Sequence, residues 1–224
     1  MDELCAVTFS TALGPAALAY GPRGLVAVAL PAQTEPATRR GLESVVARRR
    51  LGSKGDEVLS WQDAPRGAMA EAVELVRRAL AGEAVELTAL ELDLRKLSTF
   101  AELVYREAQR IPRGEVRTYG ELASAVGRPS AARAVGSAMA HNPFVLVVPC
   151  HRVVGGRGDL HGFSAPGGLR TKAALLAMEA SGRDGEPTVG AVDGTESRLK
   201  PAHPKPGRAP QPITSQAGLP FDPR

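Results

Sequence analysis

Short apolar runs separated by turn residues fill the first thirty positions: LCAVTFS, AALAYGPRG and LVAVALP. Stretches of this length bounded by Gly and Pro predict strands of a small sheet, with Pro22 and Gly24 in a hairpin turn. The pattern then changes to helical spacing. TRRGLESVVARRRLG predicts a helix closing at Gly52. DAPRGAMAEAVELVRRALAG predicts another, with Asp63 as cap, Pro65 in the first turn, Arg77 and Arg78 in the last and Gly82 as the stop. VELTALELDL alternates as one more strand would. Residues 1–95 therefore read as a small α+β domain without chemistry of its own.

After Lys96 the pattern is that of helices joined by tight turns, and residues 96–180 read as a second, mostly helical domain. STFAELVYREAQRI takes Ser98 or Thr99 as cap and repeats Phe100, Leu103, Val104, Glu107 and Ile111 at helical spacing. PRG stops it, TYGELASAVG makes a short helix ending at Gly127, and RPS leads into AARAVGSAMAHN, which ends near Asn142 and Pro143. Two short helices about such a turn form either a helix-turn-helix or an ordinary helical hairpin. The later helix has almost no bulk: Ala131, Ala132, Ala134, Gly136, Ser137, Ala138 and Ala140, with Arg133 the one long side chain on its first half. It suits close approach to another body, or tight packing on a neighbouring helix. FVLVV predicts a short buried strand. From Ser181 to Arg224 the chain is rich in Pro, Gly and polar residues without period, which predicts a disordered tail.

Charge changes the picture only for the second domain. Residues 98–180 carry ten basic and six acidic side chains, against 12 and 13 before them and six and five after them. This basic excess is compatible with a polyanionic partner and equally with a solvated face. The cysteines are Cys5 and Cys150 alone, which excludes a disulfide framework and fits a reducing compartment. The chain begins without a basic, then apolar, leader pattern and has no apolar run of membrane-spanning length, so a soluble cytoplasmic protein is expected.

The chemistry concentrates in VVPCHRVVGG, residues 147–156. A free thiol has a pKa of about 8.5 and needs a neighbour to become a nucleophile near neutrality. His151 is a candidate base for Cys150, and Arg152 adds a positive field. Adjacent residues do not face each other in a helix or a strand, so the pair must sit at a kink or be bridged by water. Pro149 favours such a bend, and Gly155, Gly156 and Gly158 allow another. An inert core thiol is the competing reading, and the one expected for Cys5. His141, His151 and His161 with Cys150 lack the paired short spacings of zinc ligands.

PCHRVV, preceded by IPRGEVRTYGELA and AARAVGSAMAHNP and followed by HGF, GGL and LLAMEA, resembles the O6-alkylguanine-DNA alkyltransferases, the methylated-DNA--protein-cysteine methyltransferases. The resemblance runs from about Ser98 to Ala180; before it only size and α+β pattern agree, implying an RNase H-like first domain. It implies irreversible, single-turnover repair of O6-alkylguanine, chiefly O6-methylguanine with O4-methylthymine as a secondary substrate, in double-stranded DNA. The alkyl group would pass to Cys150 after the nucleotide is flipped out. His151 would act through water as base, Glu179 would hold and charge the imidazole, Asn142 would link the helix-turn-helix to the active-site loop, and Tyr119 would contact phosphate and donate a proton. Arg133 would fill the gap in the base stack. Ser130, Ala132, Ala134 and Gly136 would face the minor groove without reading sequence. Met139, Val153, Phe163 and Ser164 would form the base pocket. The resemblance further implies a monomer, no cofactor, no structural metal and no membrane partner.

Two features depart from the family pattern. Ser164-Ala165-Pro166 makes the loop before Gly167-Gly168 about two residues longer, and Phe163 stands where tyrosine is common. Three rival functions are weighed. A non-catalytic alkyltransferase-like binder would carry another residue in place of Cys150. A helix-turn-helix regulator reading the major groove would need long polar side chains on the slim helix. A Cys-His hydrolase would turn over repeatedly.

Overall fold

The computed structural model describes residues 4–49 and 59–181. Strands β1 (Leu4–Thr11), β2 (Gly14–Gly21) and β3 (Gly24–Ala29) form the expected meander, with the β2–β3 turn at residues 21–24. A short β4 (Leu59–Trp61) adds to the free side of β1 in parallel, giving the order β3-β2-β1-β4. Helix α1 (Glu35–Arg49) covers one face, burying Leu42 and Val46 on Ala6, Ala17, Ala19 and Ala27. The other face shares the main core with α2 (Ala68–Leu80), through Val7, Leu18, Val28, Val73 and Val76. Both sheet faces are thus covered, which is why β3 is buried at every position instead of alternating.

Helix α3 (Thr99–Gln109) starts at Ser98, whose side chain accepts from the amide of Ala101. Next come β5 (Arg117–Thr118), α4 (Tyr119–Ala125), α5 (Ala132–Ala140), a 3₁₀ turn at Cys150–Arg152, β6 (Val153–Val154) and α6 (Leu169–Ser181). Strands β5 and β6 pair in parallel, Arg117 with Val153 and Thr118 with Val154. A sheet domain followed by helices is an α+β fold, as expected.

Several expectations are corrected. Residues 85–94 do not form a strand. Leu92 alone bridges to Leu25, while the amide of Leu90 donates to the carbonyl of Leu87, so Leu87 and Leu90 are buried from a turn. Asp63 does not cap α2, which begins after Gly67 at φ +55° with no side-chain cap. In α3, Leu103 is half exposed, and the buried face is Val104, Tyr105, Glu107 and Ala108, continued by Ile111. FVLVV is buried but is no strand: the amide of Val148 donates to the carbonyl of Phe144 at 2.8 Å, and Leu146 takes φ +75°. The expected stop at Gly52 and the tail beyond Ser181 lie outside the described residues.

The sheet and the later helices meet at Phe144. The amide of Val28 donates to the carbonyl of Pro143 at 2.8 Å, and the Tyr105 ring meets Phe144 edge-on, with centroids 6.2 Å apart. Arg49, at the end of α1, stands 5.2 Å from the centre of the Phe144 ring. It donates to the carbonyls of Val26 at 2.6 Å, Arg95 at 2.9 Å and Asp93. Three acceptors for one guanidinium lock residues 93–95 to the sheet. Replacing it by methionine, Arg49→Met, is expected to lower the free energy of unfolding by about 2–4 kcal/mol in urea melts, because those carbonyls lose their donor.

Candidate active site

Pro149 has φ −79° and ψ 67° and leads into a single 3₁₀ turn, Cys150–Arg152. This is the kink the adjacency of Cys150 and His151 demands. Both side chains are buried, at 6% and 1% exposure, and Glu179 comes to them from α6 at 5%. The imidazole Nε2–H of His151 donates to Oε1 of Glu179 at 2.9 Å. Pairing with a carboxylate fixes the tautomer, so Nδ1 carries the lone pair. That atom is buried and has no hydrogen-bond partner within the protein. It is an unoccupied acceptor, suited to take a proton through water.

Glu179 is held from three directions. Arg152 donates to it through Nε at 2.9 Å and Nη2 at 2.8 Å, and gives Nη1 to the carbonyl of Ile111 at 2.6 Å. The amide of Gly114 approaches Oε2 at 3.3 Å. Burial alone would raise the carboxyl, but hydrogen bonds from His151 and Arg152 outweigh it and bring the pKa to about 2. Burial lowers the His151 imidazole against the pull of Glu179, and raises the Cys150 thiol. At rest the site is therefore a neutral thiol, a neutral imidazole and an ionised carboxylate.

Four groups oppose the effect of burial on Cys150: hydrogen bonding from Asn142, the charge of Lys172, and the amides of Cys150 and His151. Asn142 also donates through Nδ2 to the carbonyl of Val148 at 2.8 Å and accepts from the amide of Phe144 at 2.9 Å. It closes the 142–148 loop and sustains the left-handed Leu146, a strain on the order of 1 kcal/mol. Asn142 follows α5 and ties the start of this loop to its end at Val148.

Tyr119 opens α4. Thr118 accepts from the amide of Glu121 while the Glu121 carboxylate accepts from the Thr118 amide at 2.7 Å, a reciprocal cap that fixes the start of the helix. The β5–β6 pairing then brings Tyr119 beside the residues that follow the 3₁₀ turn. Burial, then the charge of Cys150, push its phenol up. On α5, Arg133 and Ala134 are exposed, Ala132 and Gly136 half exposed, and Met139 buried; Ser130 before the helix is exposed. Val153 is fully buried, Phe163 packs at the edge of the main core, and Ser164 is exposed. The longer loop is pinned to α6: the carbonyl of Ala165 accepts from the amide of Gly168 at 3.0 Å, and that of Pro166 accepts from the Thr171 hydroxyl at 2.5 Å.

Sequence reasoning missed Lys172. It is fully buried, donates to the carbonyls of Val153 at 2.6 Å and His161 at 3.1 Å, and lies 5.9 Å from the centre of the Tyr119 ring. Burial lowers its pKa to about 8, opposed by the charge of Cys150. A signal was present: Lys172, Leu175 and Glu179 fall on one face of α6, so the face that carries Glu179 inward carries Lys172 inward too. Among the described residues, no three His, Cys, Asp or Glu side chains stand close enough to hold a metal ion.

Comparison with known proteins decides the family. Residues 99–181 match the family described as 6-O-methylguanine DNA methyltransferase, DNA binding domain. A methylated-DNA--protein-cysteine methyltransferase of Mycobacterium tuberculosis strain H37Rv is 43% identical over 148 residues, 65% of this chain and 87% of that protein. The chain belongs to the methylated-DNA--protein-cysteine methyltransferase family. Another methyltransferase of this name, from Mycolicibacterium paratuberculosis, is 52% identical over 119 residues, 53% of this chain and 69% of that one. The crystal structure of Mycobacterium tuberculosis OGT in complex with DNA superposes with a TM-score of 0.61 at 34% identity, covering 79% of this chain and 93% of that one.

Glu179 links this methyltransferase site to stability. Its folded pKa lies below the unfolded value of about 4.3, so its contribution is complete above that pH and is lost as pH falls toward about 2. Glu179→Gln is expected to lose less stability than wild type between about pH 5 and about pH 3. Urea melts at both pH values check this.

Proposed function

We propose that this chain is a single-turnover repair protein for O6-methylguanine in DNA, with Cys150 as the acceptor of the methyl group. The single observation that carries the reading is the joint burial of Cys150, His151 and Glu179, with His151 bound to Glu179 through Nε2 and its Nδ1 without a protein partner. Family membership supplies the substrate class. Such a site has a demanding order of events. The thiol gives its proton, through water, to Nδ1 of His151, and Glu179 stabilises the imidazolium that results. The thiolate attacks the methyl carbon, an S–C bond forms as the C–O6 bond breaks, and the electron pair leaves with guanine. No group in the relay reverses the thioether, so each molecule acts once.

Tyr119 is the proton donor to the departing guanine. The charge of Cys150 is one cause of its raised pKa. That charge disappears when the thiolate is alkylated, so the phenol becomes a better acid just as the guanine anion forms. Lys172 serves the loop that receives the base, because its ammonium ties the carbonyls of Val153 and His161 together. Val153 and Ser164 offer backbone contacts to the base, between Met139 and Phe163.

DNA is the partner. A base inside a duplex cannot present O6 to a buried sulfur, so the nucleotide is rotated out, at a cost of a few kcal/mol. Arg133, exposed on α5, fills the vacated place in the stack. Ser130, Ala132, Ala134 and Gly136 let the helix enter the narrow minor groove, and contacts there are to the backbone, independent of sequence. The protein acts as a monomer in the cytoplasm, where its free thiols stay reduced. No helix among the described residues is long and apolar enough to cross a membrane.

The test is to mix the protein with a duplex carrying one O6-methylguanine and weigh the protein and its peptides. One methyl is expected on the peptide containing Cys150, and none in Cys150→Ser; lesion binding without mass gain would leave a recognition protein instead. Arg133→Ala is expected to slow transfer about tenfold while the melting temperature holds. Unchanged transfer kinetics in that variant would remove the intercalating role.

A further inference from the structure

Arg113 lies half-buried in the turn between α3 and β5, outside the row of reacting groups. Its Nη2 donates to two main-chain carbonyls: Gly82, just past the end of α2, at 2.7 Å, and Met178 in the last turn of α6 at 3.1 Å. Both sit at helix ends, where unsatisfied carbonyls and the helix dipole favour a cation. The two ends abut. Gly82 takes φ +89°, and a Cβ there would lie 3.3 Å from the Met178 side chain.

Met178 immediately precedes Glu179, and Gly114, the neighbour of Arg113, donates its amide to the Glu179 carboxylate. One turn therefore grips α6 at two successive residues while its guanidinium fastens that helix to α2. The hydrogen bond from His151 to Glu179 depends on where α6 ends. A charge-assisted bond of 2.9 Å weakens steeply with misalignment, and the imidazolium formed during transfer is stabilised only while it holds.

We infer that Arg113 is a positioning residue for alkyl transfer, fastening the end of α6 to α2 so that Glu179 stays in line with the Nε2 proton of His151. The inference rests on the alkyl-transfer reading above and assigns the first domain a part in the reaction: α2 is the anchor against which the relay carboxylate is set. Misalignment makes His151 a weaker base, so transfer then depends more on direct ionisation of a thiol that burial has pushed up. The rate should therefore rise only at higher pH.

Full-length Arg113→Ala and Arg113→Lys are compared with wild type in single-turnover transfer at saturating lesion duplex across pH. The imidazole N–H of His151 is followed by NMR without DNA. Arg113→Ala is expected to slow transfer near neutrality on the order of tenfold, leave DNA affinity within about twofold, displace the rise in rate to higher pH and shift the N–H resonance. Arg113→Lys, which keeps the charge and a donor, should recover part of each. An unchanged resonance with an unchanged pH profile in the folded variant overturns the inference whatever its melting temperature, as does a loss confined to DNA affinity. If Arg113→Ala does not fold, Arg113→Lys decides by the same two readouts. Absence of transfer in wild type would count against the repair reading alone, because the NMR arm reads Arg113 without any substrate.

Discussion

A carboxylate buried at 5% exposure organises the second half of this protein. An ion in that position is stable only if its oxygens are fully paired. Glu179 meets the condition with partners from separate pieces of chain: His151 and Arg152 from the 3₁₀ turn and Gly114 from the turn after α3. Arg152 reaches on to Ile111, closing the ring between turn, helix end and relay. Three segments that share no secondary structure are thus assembled around one charge, and the same pairing chooses the histidine tautomer. What stabilises the site also prepares its chemistry.

The charges around the site are unequal in kind. Arg152 is fully committed to Glu179 and the Ile111 carbonyl, so its field restrains His151 from charging at rest. Lys172 is fully buried, which brings it to about 8, while a thiolate at Cys150 would favour its charged form. A neutral thiol beside a reluctant imidazole is inert toward stray electrophiles. The same groups favour charge separation once a bound lesion brings its alkyl carbon to the sulfur. Burial therefore acts as a restraint on reactivity, and the hydrogen bonds of Asn142 and the local amides as its counterweight.

The two halves of the molecule are joined through the loop that precedes the nucleophile. Phe144 is held between Tyr105 of α3 and Arg49 of α1, while Pro143 and Phe144 lie along β3. Tyr105 in turn donates to the carbonyl of Ala138 near the end of α5, at 2.9 Å. Strand β3 thus supports the loop through Val28, and the slim helix is tied to it through Tyr105. The reach of the first domain toward the site thus runs through Phe144 on one side and through Gly82 and Arg113 on the other.

Local physics was enough to read much of this from the chain. The three-stranded meander, Ser98 as a cap, Gly127 and Gly82 as stops, and the bend at Pro149 all follow from backbone preferences that neighbours in sequence dictate. The motif around Cys150 and its distant companions Tyr119, Asn142 and Glu179 stood out through the order in which their residue types follow one another, which is the order the family resemblance rests on. What failed were inferences in which burial comes from partners far along the chain. Residues 85–94 alternate like a strand, yet Leu87 and Leu90 find the core from a turn, because only the short stretch Glu91–Asp93 lies along β3, bonded to Leu25. FVLVV has strand composition, yet Asn142 and the Phe144–Val148 hydrogen bond fold it into a loop. Lys172 looks like a surface residue until α6 docks with Glu179 inward, which leaves the lysine on the same face no route to water. The sequence alone determined which titratable and nucleophilic residue types occur and in what order; only the tertiary structure decided how their charges are balanced, because a buried charge takes its state from whatever the fold places around it.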